Sequence, residues 1–284
     1  MKKLVIATAI ALLGLAPALS SASPQQDLKQ FREFFFKRFP GVKLQEYANG
    51  VYGINADRRQ EWEAMEEFPP YDPGVDLGKK LFAKYHVGRC FKNGGIAIRQ
   101  HYPWFDTKTG KLHTLAEDVM TCLKRNGVDT KKDKLVYGKG KFATIIAYMA
   151  YTSRGKKLNV VIPNDPRALA IYERGKHFFF AKRGQLNMAC ADCHMYHSGN
   201  LARANILSPA LGHPAHFPTY RKKWEAGGNP VYGGFGTIER RYVGCNKQMR
   251  AKPFKPQSPE YQALEYWETY MSNGIKVNGP GVRE

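Results

Sequence analysis

Apolar residues fall at helical spacing in two stretches far apart in the chain. They are "FATIIAYMAYTSRGKKL" at 142 to 158 and "YQALEYWETYMSNGIKV" at 261 to 277. Each stops at a glycine after Ser-Arg or Ser-Asn, a helix terminus. Ahead of each lies a second matched pair, "GKKLFAKYHVGRC" at 78 to 90 and "GKHFFFAKRGQLNMAC" at 175 to 190. Both predict a short amphipathic helix feeding a loop that ends at a cysteine. Between helix and terminus, "TLAEDVMTC" at 114 to 122 parallels "TIERRYVGC" at 237 to 245, a threonine preceding a cysteine by eight residues each time. Three matches in one order predict a mainly α fold written twice: helix, cysteine motif, long loop holding a second cysteine, closing helix. Pro163 and Pro166 punctuate the join near 159 to 168, so the halves are read as 72–160 and 161–284.

The flanks read differently. Residues 23–71, with "FREFFFKRFP" and "RRQEWEAMEEFPP", form an aromatic-rich extension expected to pack helices on the rest or on a partner. Residues 1–22, "MKKLVIATAIALLGLAPALSSA", have the lysines, apolar run and small-residue end of a signal peptide cut after Ala22. The competing reading is a membrane anchor, but Leu4 to Leu19 is short and carries Gly14 and Pro17. Export to the periplasm is expected, with no span elsewhere in the chain.

Composition adds an electrostatic expectation. Lysine and arginine number 44 against 24 acidic residues, a formal net charge of +20. That excess suits an anionic substrate or partner, or simply a basic surface. Nucleic acid is not expected, since export and the absence of any basic helix or nucleic-acid motif argue against it.

The chemistry lies in the cysteines. Cys190, Cys193 and His194 in "MACADCHMYH" are spaced C-x-x-C-H, which supplies two thiols for the vinyl groups of a haem and an imidazole for its iron. One covalent haem c is expected, with His194 as proximal ligand; a thioredoxin-like C-x-x-C with an accidental histidine is the rival. The matching text in the first half is "CFKNG", where Asn93 and Gly94 replace the second cysteine and the histidine. That half cannot hold haem in the usual way, and a structural Cys90–Cys122 disulfide is the expected outcome in an oxidising compartment. Cys245 is then the odd cysteine. The second ligand to iron comes from Cys245, from Met249, or from His213 and His216 in "GHPAHFP". A methionine would make the chain a plain electron carrier. Arg240, Arg241, Lys247 and Arg250 surround Cys245, and such cations lower a thiol pKa and attract anions. Arg241, four residues before the cysteine, faces the sulfur if the segment is helical.

Together the two halves, "CADCH" and "RRYVGCNKQMR" resemble the SoxA family, the cytochrome subunit of the periplasmic SoxAX complex of thiosulfate oxidation. The resemblance covers nearly the whole mature chain and implies tandem cytochrome c-like domains, the first without haem. It implies His194 and Cys245 as axial ligands, Cys245 as a catalytic persulfide, and Arg241 as the active-site arginine. Asn93 and Gly94 depart from members that bind a second haem and place the chain with the single-haem branch. The implied reaction is that of an L-cysteine S-thiosulfotransferase: thiosulfate is joined oxidatively to a cysteine of the SoxYZ carrier, and electrons leave through SoxX to a soluble cytochrome c. Two rivals remain, a plain electron-transfer cytochrome and a haem-bearing structural subunit whose activity lies in its partner.

Overall fold

The computed structural model describes residues 23–225 and 228–283; the signal peptide expected at 1–22 lies outside them. Ten helices and seven short strands are described. Helix α1 (Pro24–Arg38) opens on a capping box in which the Ser23 and Gln26 side chains each accept the other's backbone N–H, with Pro24 in the first turn. The short α2 (Val51–Ile54) leads into α3 (Ala56–Glu67), capped by the Asn55 side chain, and then α4 (Asp72–Lys84). The hairpin β1 (Trp104–Asp106) and β2 (Lys111–His113) precedes α5 (Leu115–Arg125), and α6 (Gly140–Tyr151) closes the first half. The second half begins with α7 (Pro166–Phe180) and the hairpin β3 (Leu201–Ala202) and β4 (Asn205–Ile206). Strand β5 (Thr219–Arg221) and the single turn α8 (Lys222–Glu225) follow. After them come β6 (Phe235–Gly236), α9 (Ile238–Gln248), α10 (Pro259–Met271) and the C-terminal β7 (Gly281–Arg283). Among the described residues no helix is long and apolar enough to cross a membrane.

The predicted repeat has a geometric counterpart. In the first half α4 packs on α6, and in the second α7 packs on α10. A glycine lets each pair touch: a Cβ on Gly78 would lie 2.0 Å from the Thr144 carbonyl oxygen, and one on Gly175 would lie 2.0 Å from that of Ala263. The expected long loops, in contrast, each contain a helix. Thr114 and Thr237 are the N-caps of α5 and α9, so Cys122 and Cys245 both stand eight residues into an eleven-residue helix. The Thr114 hydroxyl accepts the Glu117 N–H at 3.1 Å and so caps α5, whereas Thr237 makes no such bond; acidic residues in the first turn, Glu117 with Asp118 and Glu239, favour both helix starts. The closing segments also pair with each other, the Gly155 N–H donating to the Val277 carbonyl and the Gly274 N–H to that of Leu158.

Cys90 and Cys122 are bonded, linking the turn after α4 to α5 within the core of the first half. With the two cysteines 32 residues apart, loop closure contributes about 3 to 4 kcal/mol. Changing both to alanine should lower the denaturant midpoint accordingly and leave the visible spectrum of the protein unaltered.

The start of the 23–71 segment joins the core of the second half through Phe31, Phe35, Tyr47 and Ala48, while Trp62, Met65 and Tyr71 pack with Ala143 and Ala147 of α6 and with β5, β6 and β7. Phe31 lies 5.3 Å from the Trp267 ring and 6.1 Å from that of Phe179, and buried Asp27 accepts from Lys176 Nζ at 2.6 Å and Tyr172 Oη at 2.8 Å. The aromatics that looked available to a partner go mostly inward: Phe31, Phe35, Tyr47 and Tyr52 are buried, and Phe36 and Phe68 stay exposed.

Candidate functional site

The second cysteine motif lies on a π-helical turn, Asp192–Tyr196, rather than on an ordinary first turn of α-helix. The His197 N–H reaches back five residues to the Asp192 carbonyl at 3.0 Å, and Asp192 Oδ2 accepts from the Ala189 N–H at 2.7 Å. Such wide turns place successive side chains differently from an α-helix and recur at functional sites. The loop ahead of the motif is laced to the end of α9, where Leu186 N–H and Gln185 N–H meet the carbonyls of Met249 and Arg250. Only a glycine serves at 184: its φ is +71° and a Cβ there would lie 2.2 Å from the Met249 carbonyl oxygen.

Motif and α9 thus face each other across a cavity of about 400 Å3 lined by Cys190, Cys193, His194, Arg241, Cys245 and Met249, among others. The His194 ring is oriented by its Nδ1, which lies 2.9 Å from the Ser208 carbonyl oxygen and therefore bears the proton, leaving Nε2 bare. Across the cavity Cys245 stands close enough to His194 for each to shift the other's pKa. Burial alone would raise the Cys245 thiol, but the charges of Arg241 and Arg221 and the interaction with His194 outweigh it and bring the pKa down to about 7. Burial would likewise lower His194, and is overcome by Cys245 and the Ser208 carbonyl, which raise it. At Cys190 and Cys193 burial outweighs the nearby charges of Arg183 and Arg241 respectively, and both thiols are pushed up.

The other candidate ligands are otherwise engaged. His213 Nε2 lies 2.6 Å from Ser208 Oγ, and His216 Nδ1 accompanies the Ala48 carbonyl at 3.0 Å. Burial lowers the pKa of both well below the usual histidine range. Met249 is buried at the C-cap of α9 in the cavity wall, and it is Cys245 that meets His194.

The cationic surround differs from the one expected. Arg241 faces the sulfur from one turn back along α9, but Arg240 turns away, donating to the Phe235 carbonyl at 2.5 Å with its guanidinium 4.3 Å over the Trp224 ring. Lys247 and Arg250 are exposed. Two arginines that no motif announces take their place. Parallel pairing of β5 with β7 sets Arg221 beside Arg283, and both line the cavity. Each has a buried Nε with no hydrogen-bond partner among the described residues. Unmatched guanidinium N–H groups beside two thiols and a bare imidazole nitrogen suit an anionic, iron-bearing group such as haem c, or a small oxyanion next to it.

No protein-family model matches the chain. It is 47% identical over 263 residues to the L-cysteine S-thiosulfotransferase subunit SoxA of Chlorobaculum thiosulfatiphilum, covering 91% of this chain and 87% of that one. Identity to the same subunit of Allochromatium vinosum is 44% over 272 residues, 94% and 92% of the two chains. The crystal structure of SoxXA from P. pantotrophus superposes with a TM-score of 0.64 over 79% of this chain and 84% of that one, at 28% identity. On identity this high over nine-tenths of its length, the chain belongs to the SoxA family of L-cysteine S-thiosulfotransferase subunits.

Proposed function

We propose that this chain is a periplasmic c-type cytochrome that joins thiosulfate to a cysteine of a SoxYZ-type carrier protein, working as a heterodimer with a SoxX-type cytochrome. Residues 1–22 direct export, 72–160 form a cytochrome c-like unit without haem, and 161–284 form the unit that holds one haem c. Cys190 and Cys193 would hold that haem through thioethers, and His194 and Cys245 would hold its iron. When bound, the haem supplies a redox centre beside the Cys245 sulfur that takes electrons singly and hands them on to a soluble cytochrome c.

The residues of the chain do the rest. Arg241 and Arg221 dock the thiosulfate dianion with its outer sulfur toward Cys245. Bond formation between the Cys245 thiolate and that sulfur, with loss of two electrons, gives a cysteine S-thiosulfonate. The carrier's cysteine, its proton released to solvent, then attacks the outer sulfur as a thiolate; the thiosulfate group passes to the carrier and the Cys245 thiolate is regenerated. The family's persulfide on Cys245 would place one more sulfur on this same arm.

The observation that supports this reading is the Cys245 thiol set opposite His194 in one cavity with Arg241 and Arg221. A carrier of electrons alone has no use for a basic pocket around a nucleophilic sulfur. Arg241→Ala should raise the KM for thiosulfate roughly ten- to a hundredfold, the worth of one or two charge-assisted hydrogen bonds, with haem content unchanged. An unaltered KM in steady-state assays with the carrier would remove Arg241 from the substrate site.

A further inference from the structure

We propose that Arg99, contributed by the half without haem, is a positioning residue for His194. The inference rests on His194 being an iron ligand, as read above. Arg99 is 4% exposed although it carries a charge, and no motif marks it. Its backbone N–H donates to buried Ser153 Oγ at 3.0 Å, anchoring it to the end of α6. Its guanidinium then spans the two halves: Nη1 donates to the Tyr102 carbonyl at 2.9 Å, and Nη2 to the Pro214 carbonyl at 3.1 Å, 115 residues further along.

Pro214 stands in the turn His213–His216, and from there a short path leads to the axial imidazole. His213 meets Ser208 Oγ at 2.6 Å, and the same Ser208 supplies the carbonyl that accepts the His194 Nδ1–H. The rings of His194 and His213 lie 4.7 Å apart, edge to face. A second strand closes the loop, the Ala210 N–H donating to the His194 carbonyl at 2.8 Å and the His213 N–H to that of Ala210 at 3.0 Å. One guanidinium in the first half therefore fixes the turn that fixes the hydrogen bond on the far nitrogen of the ligand. That bond sets how strongly an axial imidazole donates to iron, and a firm one favours the ferric state and lowers the reduction potential.

The direction of each effect follows. Arg99→Lys keeps the buried charge but loses the planar fork that reaches two carbonyls at once. It should raise the midpoint potential of the holoprotein and speed amide exchange over residues 208–216. Ser208→Ala, which releases His213, should raise the potential as well. Because both act through one segment, the double variant should rise no further than the larger single change. Ser153→Ala, a milder disturbance of Arg99, should give a smaller rise of the same sign, and serves if Arg99→Lys does not fold. The proposal is overturned if the potential and the exchange in Arg99→Lys match the unmodified protein, or if the protein loses only thermal stability. Additive shifts from Arg99→Lys and Ser208→Ala would overturn it too. His194→Ala separates the layers: loss of its low-spin spectrum leaves the ligand assignment standing whatever Arg99 does, and an unchanged spectrum brings down both.

Discussion

Cys245→Ala should abolish thiosulfate-dependent turnover with the carrier protein, a fall of at least about a thousandfold, as when a covalent nucleophile is removed. Haem should remain attached, because the proposed anchors are Cys190 and Cys193 and the substitution leaves both in place. The oxidised spectrum should change, since the sulfur facing His194 is gone, and Met249, packed at the helix end one turn on, is too constrained to replace it in kind. Intact mass of the unmodified protein should show about 32 Da beyond polypeptide and haem if the cysteine carries an extra sulfur, and Cys245→Ala should lack it. Turnover that survives within tenfold would return the chain to the class of plain electron carriers, or of structural subunits whose partner does the chemistry.

The largest effect on stability is expected at Gly175. Helices α7 and α10 touch there so closely that any side chain must displace the Ala263 carbonyl, and Trp267 Cβ stands at 2.8 Å. A valine cannot be absorbed by rotating a flexible neighbour, because the obstacle is backbone. Gly175→Val should therefore cost about 4 kcal/mol or more. Since Trp267, Tyr172 and Phe179 share this contact with α1, the loss should spread through the core that carries the cavity. Poor recovery of holoprotein and a thermal midpoint many degrees lower would be the readout. Gly78→Val should destabilise the first half in the same manner through Thr144, and a wild-type midpoint in either variant would show that the helix pairs can part without penalty.

How far the sequence could be read depended on whether a feature was local. Spacing in "CADCH" is a local property, and the side chains it names do line one cavity. The threonine eight residues before Cys122 and Cys245 was a visible match, though its meaning as a helix cap was missed because the surrounding Gly- and Pro-rich text read as loop. The Cys90–Cys122 bond was legible from counting cysteines against their compartment. Arg221 and Arg283, by contrast, are brought together by a parallel strand pairing across 62 residues, and no periodicity announces a two- or three-residue strand. Arg99 was hidden for the same reason, its partner lying 115 residues away. Charge near Cys245 in sequence also misled: Arg240 sits next to Arg241, yet one residue is 100° around a helix, enough to send it to Trp224 instead of the sulfur.

The separation of the sulfurs bears on how the protein is made. Cys90 and Cys122 are joined within one half, while Cys190, Cys193 and Cys245 stand around the cavity of the other. If Cys190 and Cys193 take up haem as proposed, biogenesis asks opposite treatments of one polypeptide, oxidation at one end and protection from it at the other until the haem is attached. Cys122 is buried on α5 and Cys90 half-buried, which slows exchange of the finished disulfide with the waiting thiols. A production host should accordingly supply a dithiol oxidase and a haem ligation system together, and a host lacking either would yield shuffled or apo protein.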